Sequence, residues 1–457
     1  MTTVPQKWFK DVLTWNSFDL STSSYSWWIH GLEGNDTIYG SVFEDWLFGG
    51  DDNDSILGGG GDDLVTGNDG NDFLIGQDGE DNLNGGDGHD TINGGLDDDT
   101  LWGDGGDDEL YGKGGEDYII GGDGDDEIYG GSGDDYAAGR DGDDYIEGSL
   151  GEDRFDGDGG DDWLDGFKQD DTLSGGEGDD LLEGGDGADV LDGGEGRDTA
   201  TWGGNTAAIV DLENNIMAGA AKGDTLISIE NLYGSSADDI LIGDDNYNRI
   251  EGGDGGDILF GGDGSDRLKG GGGADELHGD GDVDNLSGGS GNDTLFGGEG
   301  SRDYLKGESG NDVLHAGQNY IMSDLRGGSG NDTLNASTGD NYFYGNSGDD
   351  TFRFATGTSV LVGKETPDWV MDFEAGVDVI SLEGYAHANP RGGDKIPLDL
   401  VEAFTGNEYE VTLRHEKVAG LKIAYLSIDL DGDMTADEEI GIEVASFTNI
   451  GWSDIDL

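Results

Sequence analysis

The sequence predicts an all-β chain: a parallel β-roll, or β-solenoid, of Gly-Asp-rich nonapeptides with a small C-terminal β domain. Three observations predict it. The first is a period, since residues 31–201 divide into 19 consecutive nonapeptides without insertion or deletion. The second is what that period fixes: Gly at position one and Asp at position six in all 19 units, and an apolar residue at position eight. The third is composition. The 92 Gly follow no period of three and only 4 Pro accompany them, which excludes a collagen or a proline-rich linker.

Each part of the unit has a physical reading. Six Gly-rich residues take the tight and left-handed turns that a Cβ would forbid. The last three, x-apolar-x, alternate as a very short strand with the apolar residue inward. Two units of opposite sense complete one coil of 18 residues, so units two apart lie on the same face. Tyr118 should then neighbour Tyr136, and Tyr111 should neighbour Tyr129, with Tyr145, Trp163 and Leu181 continuing a similar ladder. Cross-strand stacking is the plain explanation of such ladders; carbohydrate binding or lateral self-association is the alternative.

Taken in order, residues 1–30 form an aromatic N-terminal cap, with Trp8, Phe9, Trp15, Phe18, Tyr25, Trp27 and Trp28 covering a first coil that would otherwise be bare. Residues 31–201 are the first repeat block. Residues 202–233 are a spacer whose Ile209-Val-Asp-Leu212 and Thr225-Leu-Ile-Ser-Ile229 read as longer strands continuing the stack without metal. Residues 234–353 are a second block of roughly 13 units, with slips near Arg302 and between Ala316 and Arg326. Asn248 and Asn341 replace its Asp and predict weak metal sites. From residue 354 to 457 Gly becomes scarce and β-formers increase, marking the C-terminal β domain.

Charge narrows the partners. The 104 acidic and 21 basic residues give a formal net charge of −83. Nucleic acid is excluded as a natural partner, because phosphate binding needs clustered Lys and Arg. The excess suits either a disordered acidic chain or a folded cation binder, and the strict order of the repeats favours the second. Cys is absent, so neither disulfides nor thiolate sites are available. The first residues lack a basic region followed by an apolar core and cleavage site, and no apolar run reaches membrane-spanning length. The expectation is a protein without a transmembrane segment that leaves the cell, if it does, by a route blind to an N-terminal signal.

Gly-Gly-Asp-Gly-His-Asp-Thr-Ile-Asn (residues 85–93) and Gly-Gly-Asp-Gly-Asp-Asp-Glu-Ile-Tyr (residues 121–129) are typical units. They resemble Gly-Gly-x-Gly-x-Asp-x-U-x, with U a large apolar residue, the repeat of the RTX (repeats-in-toxin) calcium-binding β-roll family. The resemblance covers about two-thirds of the chain in 32 copies. It implies Ca²⁺ between the turns of neighbouring coils, held by position-six carboxylates and backbone carbonyls. Those oxygens suit a hard cation taking six to eight ligands, and suit Mg²⁺ poorly. The ligands so implied in the first block are Asp36, Asp45, Asp54, Asp63, Asp72, Asp81, Asp90, Asp99, Asp108, Asp117, Asp126, Asp135, Asp144, Asp153, Asp162, Asp171, Asp180, Asp189 and Asp198. In the second they are Asp239, Asp257, Asp266, Asp275, Asp284, Asp293, Asp303, Asp312, Asp332 and Asp350. Roughly 25–30 ions follow, one per unit less the ends and degenerate copies. One inward Leu or Ile per unit returns only ~1.5–3 kcal/mol, too little to order nine residues, so folding should require the metal.

The stretch from Asp368-Trp-Val-Met-Asp through Leu382, with the ending Ser453-Asp-Ile-Asp-Leu457, resembles the C-terminal domain of serralysin-type RTX proteins. That resemblance implies an uncleaved C-terminal signal, a type I secretion apparatus as partner and export from a Gram-negative bacterium. Asp429, Asp431, Asp433 and Asp437 resemble half an EF-hand loop, but Met434 stands where Gly is needed and Ile440 where Glu is needed. An ordinary acidic turn is the reading there. The six His, namely His30, His89, His278, His315, His387 and His415, contain no His-Glu-x-x-His, so the serralysin zinc motif is missing. No Gly-x-Ser-x-Gly elbow or Walker loop occurs either. Catalytic residues are therefore expected to be none. The expected function is a secreted calcium-binding structural or interaction protein of the cell surface or extracellular matrix, with self-association end to end or laterally. The alternative is an extracellular polysaccharide-acting enzyme, or a carbohydrate-binding accessory protein, built on the same roll.

Overall fold

A computed structural model describes residues 7–10, 17–300, 302–317, 323–336, 341–354, 368–373, 378–381, 399–400, 410–418, 421–429, 438–443 and 455–456. The described residues are strands, turns and bends. They divide into two compact units, Met1–Gly203 with Met217–Asn231, and Gly204–Ile216 with Leu232–Leu457.

In the first unit successive nonapeptides send their strands alternately to two sheets. One sheet includes Trp27–Glu33, Trp46–Asp51 and Leu64–Asp69; the other includes Thr37–Tyr39, Ser55–Gly60 and Phe73–Asp78. Pairing is parallel with an offset of 18 residues, as in Ile56 with Leu74 and Ile92 with Leu110. Parallel strands need a long crossover, and here the opposite half-coil supplies it. Every position-eight side chain from Ile38 to Ala200 is fully buried, so the core is a column one residue wide per half-coil. Volumes along it compensate: the large Phe155 pairs with the small Ala137 one coil away.

The strands are longer than the three residues predicted. Most run six, from position seven into position three of the next unit, as in Ser55–Gly60. Position one has no Cβ and stays close to its neighbours, so pairing resumes beyond it, for example Gly59 with Gln77. Position two lies at positive φ in most units, whether it is Gly86 (118°) or the strained Asn68 (82°) and Lys113 (81°), but not at Ser41 or Ser235. At the N-terminal end Lys7–Lys10 pairs with Trp27–Glu33, Phe18–Asp19 pairs with Thr37–Tyr39, and Trp28 meets Trp46 edge-on at 4.7 Å. Trp15 lies outside the described residues.

The spacer strands are short. Thr225–Ile227 pairs with Val190–Glu195 in the first unit, and Ala208–Asp211 pairs with Ile240–Ile242 in the second. Neither is longer than a repeat strand, because each simply takes the next place on a sheet. In the second unit one sheet carries Arg249–Asp254, Arg267–Gly272, Asn285–Ser290, Tyr304–Ser309, Ser323–Ser329 and Asn341–Ser347. The slips are absorbed in the turns: the Asp284 N–H still meets Asp303, 19 residues on, and the Asp312 N–H meets Asp332, 20 residues on.

The roll also outlasts its predicted end at residue 353. Asp368–Val370 pairs with Asn341–Ser347, and Val379–Ser381 pairs with Thr351–Arg353, both parallel. An antiparallel arrangement follows, Glu410–Val418 with Leu421–Asp429 and that strand with Glu438–Glu443. The last strand returns to pair in parallel with Asp368–Val370. No helix among the described residues is long and apolar enough to cross a membrane.

Candidate metal centres

Each centre is built by the turn of one unit and the turn one coil away. Asp126 is representative. Its N–H donates to Asp144 Oδ1 at 2.8 Å, while its own Oδ1 accepts the Asp108 N–H at 2.8 Å. Its Oδ2 is buried and has no partner. A Cβ on Gly121, position one of the same unit, would collide with that oxygen and come within 2.9 Å of the Gly139 carbonyl. Position one is thus Gly because a carboxylate oxygen and a main-chain carbonyl converge on the space a side chain would fill.

The same arrangement runs through both units. All 29 predicted aspartates are at most 4% exposed. Chains of N–H to Oδ1 bonds link them at 2.7–2.9 Å from Asp54 to Asp198 and from Asp239 to Asp275. Apart from Asp36, Asp45, Asp239, Asp303 and Asp350, each of the 29 has an Oδ2 buried without a partner. An orphaned buried acceptor is costly, and more so an anionic one. Burial accordingly pushes these carboxyls up, to about 6 at Asp72, about 7 at Asp126 and about 9 at Asp63, with neighbouring carboxylates of the column adding to the rise at Asp63 and Asp126.

This donor set fits calcium. It consists only of oxygens, it is anionic, and in 24 of the 29 aspartates one carboxylate oxygen is unused. Among the described residues no three acidic or His side chains converge on one point. What meets at the turn of Asp126 is instead a carboxylate oxygen and the main-chain carbonyl of Gly139 from the next coil.

Two predicted ligands are engaged differently. Asp45 Oδ2 accepts the Ser41 N–H at 2.6 Å and its hydroxyl at 2.9 Å. Asp239 Oδ2 accepts the Ser235 N–H at 2.6 Å and its hydroxyl at 3.2 Å. In both units Ser occupies position two. Asn248 likewise accepts the Asp244 N–H at 2.8 Å. Asn341 is buried at 1% exposure.

Sequence reasoning missed three acidic residues that extend the columns. Asp224 accepts the Asp189 N–H at 3.2 Å, Glu230 accepts the Asp198 N–H at 3.0 Å, and Asp378 accepts the Asp350 N–H at 3.1 Å. They lie 35, 32 and 28 residues on instead of 18, so the nonapeptide count could not find them. The Trp202 Nε1–H donates to Asp224 Oδ2 at 3.0 Å, filling the oxygen left open elsewhere. A second ladder was also missed. Position-five N–H groups donate to the position-five carboxylate one coil earlier, as Asp143 to Asp125 at 3.0 Å and Asp161 to Asp143 at 2.9 Å, all on the exposed edge. Its signal was the frequency of Asp, Asn and Glu at position five.

The aromatic neighbours fall where the 18-residue coil put them. Tyr111 and Tyr129 stack at 5.0 Å and Tyr118 and Tyr136 at 4.9 Å, while Trp163 meets Tyr145 edge-on at 4.9 Å. Where rings stack, faces are turned to one another and edges to solvent. His278 and His315 interleave with Phe260 and Phe296 in a ladder at 4.4–4.6 Å, and His30 stacks on Phe48. Asp431, Asp433, Asp437 and His387 lie outside the described residues.

Comparison with known proteins agrees with this geometry. Residues 30–200 and 233–268 match the family described as RTX calcium-binding nonapeptide repeat, in overlapping segments. Residues 273–451 match the family described as Peptidase M10 serralysin C terminal. Metalloprotease AprA of Pseudomonas entomophila (strain L48) is 38% identical over 74 residues, which are 16% of this chain and 14% of AprA. The chain thus spans about a seventh of that relative's length. The solution structure of the AlgE6R3 subunit from the Azotobacter vinelandii mannuronan C5-epimerase aligns at 21% identity, covering 38% of this chain and 78% of that one, with a TM-score of 0.22. Both matched regions typify secreted proteins of Gram-negative bacteria. With nonapeptides, parallel roll and serralysin-type C-terminal region all in place, the chain belongs to the RTX calcium-binding β-roll family.

Proposed function

We propose that this chain is a non-enzymatic structural or interaction protein of the cell surface or extracellular matrix, exported by a type I apparatus and folded outside by calcium. The observation that carries this reading is the buried column of half-used carboxylates. Ca²⁺ bound there would supply the positive charge that lets such a column exist as anions. Position-six pairs such as Asp126 and Asp144, with carbonyls of the Gly-rich turns, would hold it. Roughly 25–30 ions per chain are proposed, one per unit less the ends and degenerate copies. They would offset most of the −83 charge.

Export follows from the same energetics. Without metal the carboxylates repel and the single inward apolar residue per unit cannot hold the roll, so the chain stays threadable where calcium is scarce. Self-assembly of the folded chain is part of this proposal. Calcium-dependent growth in particle mass, with no turnover of added polysaccharides, supports it. Depolymerisation or modification of a polysaccharide by the purified chain would instead establish the enzymatic alternative.

A further inference from the structure

We propose that one sheet face of the second unit docks on one sheet face of the first unit of another copy, as a basic-aromatic surface on an acidic-aromatic one. The inference rests on the self-assembly reading above and names its partner as a second copy of this chain. In the first unit the strands Glu109–Gly114, Glu127–Ser132, Tyr145–Leu150, Trp163–Asp165 and Leu181–Glu183 are consecutive neighbours in one sheet. Outward positions seven and nine bring Glu109, Glu127, Glu147 and Glu183 onto this face, while Asp165 at position nine of the fourth strand is buried. Tyr111, Tyr129, Tyr145 and Trp163 run between them as one continuous ladder. Among the described residues none of these carboxylates meets a cation; Glu109, Glu127 and Glu147 accept from the tyrosine hydroxyls instead.

The second unit carries the opposite. Over the strands from Arg249–Asp254 to Ser323–Ser329, outward positions bring Arg249, Arg267, Lys269, Lys306 and Arg326 onto one sheet, from a chain holding only 21 Lys and Arg. Glu251 is shared by Arg249 and Lys269, and Asp324 pairs with Arg326 at 2.9 Å. Arg267 and Lys306 are exposed and have no ion-pair partner among the described residues. Guanidinium groups lie over tyrosine rings, Arg302 over Tyr304 at 5.0 Å and Arg326 over Tyr344 at 4.9 Å.

The flanking turns sharpen the contrast. After the five acidic strands, position five reads Glu116, Asp134, Glu152, Asp170 and Ala188, all exposed and four of them acidic. After the basic sheet it reads Gly256, Ala274, Asn292, Asn311 and Asn331, and position three becomes Ser at Ser290, Ser309 and Ser329. A long stretch of this edge in an otherwise acidic protein has thus lost its carboxylates. Both surfaces repeat at the ~4.8 Å strand spacing, so charges on one can match charges on the other strand for strand. A surface contact of this kind is attractive and screened by salt.

The test is sedimentation velocity of the full chain in calcium, at low and high salt, with circular dichroism on the same samples. Wild-type chain is expected to associate at low salt and to dissociate at high salt. The variant R267E/K269E/K306E should stay monomeric, as should E109K/E127K/E183K, and an equimolar mixture of the two should associate again. Dichroism shows whether each variant still folds with calcium, so failure of docking is separable from failure of calcium folding. Wild-type chain that folds but stays monomeric overturns the proposal. So do reversals that leave association unchanged, or a monomer whose basic face instead binds an added polyuronate.

Discussion

Two kinds of turn share one sequence pattern. In the unit of Asp126 the position-six carboxylate has one oxygen in the ladder and one with no partner. In the units of Asp45 and Asp239 the burial is the same, but a position-two Ser turns its N–H and hydroxyl onto the second oxygen. In the first kind the chain offers the second oxygen no partner; in the second it does. The difference teaches that Asp at position six does not by itself leave an oxygen open to a cation; the hydrogen bonds made by its second oxygen decide that. The closed turns lie near the N-terminal edge of each block, in units 40–48 and 234–242.

The largest effect that could break this comparison is pH. Folded pKa values of about 6 to about 9 at open turns lie above the unfolded value near 3.8. The folded metal-free state therefore binds more protons, and its stability falls as pH rises through that range and increases as pH falls towards about 4. The metal-free chain should gain β structure on acidification in that window, followed by far-UV circular dichroism. Calcium affinity should weaken as pH falls, because protons compete for the same carboxylates, and the calcium midpoint of the transition should rise accordingly. A metal-free chain indifferent to pH would show that its carboxylates are not held open.

Next is the cradle. Gly121→Ala places a methyl where Asp126 Oδ2 and the Gly139 carbonyl converge, with a cost of ~1–3 kcal/mol by overpacking. Equilibrium dialysis should count fewer calcium ions on this variant. A smaller contrast compares two neutralisations. Asp126→Asn should raise the calcium midpoint, while Asp45→Asn should leave bound calcium unchanged, because Ser41 already occupies that oxygen. The smallest is Ser41→Ala, which removes one hydroxyl donor for about 1 kcal/mol and is read by thermal unfolding at saturating calcium. Equal calcium loss in Asp126→Asn and Asp45→Asn would erase the distinction between open and closed turns.

Much of this was legible because the period is short and strict. Gly at position one, Asp at position six and Leu or Ile at position eight each answer to one local demand: a crowded cradle, a buried carboxylate and a one-residue core. Strand length was not legible, since Gly-rich positions one to three look like pure turn yet continue the pairing. Asp224, Glu230 and Asp378 were hidden because they complete the columns by position in space after the count has broken. Ser41 and Ser235 were visible as residues, but their effect depends on a hydroxyl reaching back four positions. The contrast between acidic and basic faces needed the 18-residue register before scattered charges became stripes.

The most direct test is a calcium titration of metal-free full-length chain at neutral pH, following far-UV circular dichroism while bound calcium is counted. The account predicts a cooperative coil-to-β transition at about 10⁻⁴–10⁻³ M calcium, roughly one ion per open turn, and no transition with Mg²⁺. A chain already fully β-structured without metal, and unchanged by calcium, would contradict it.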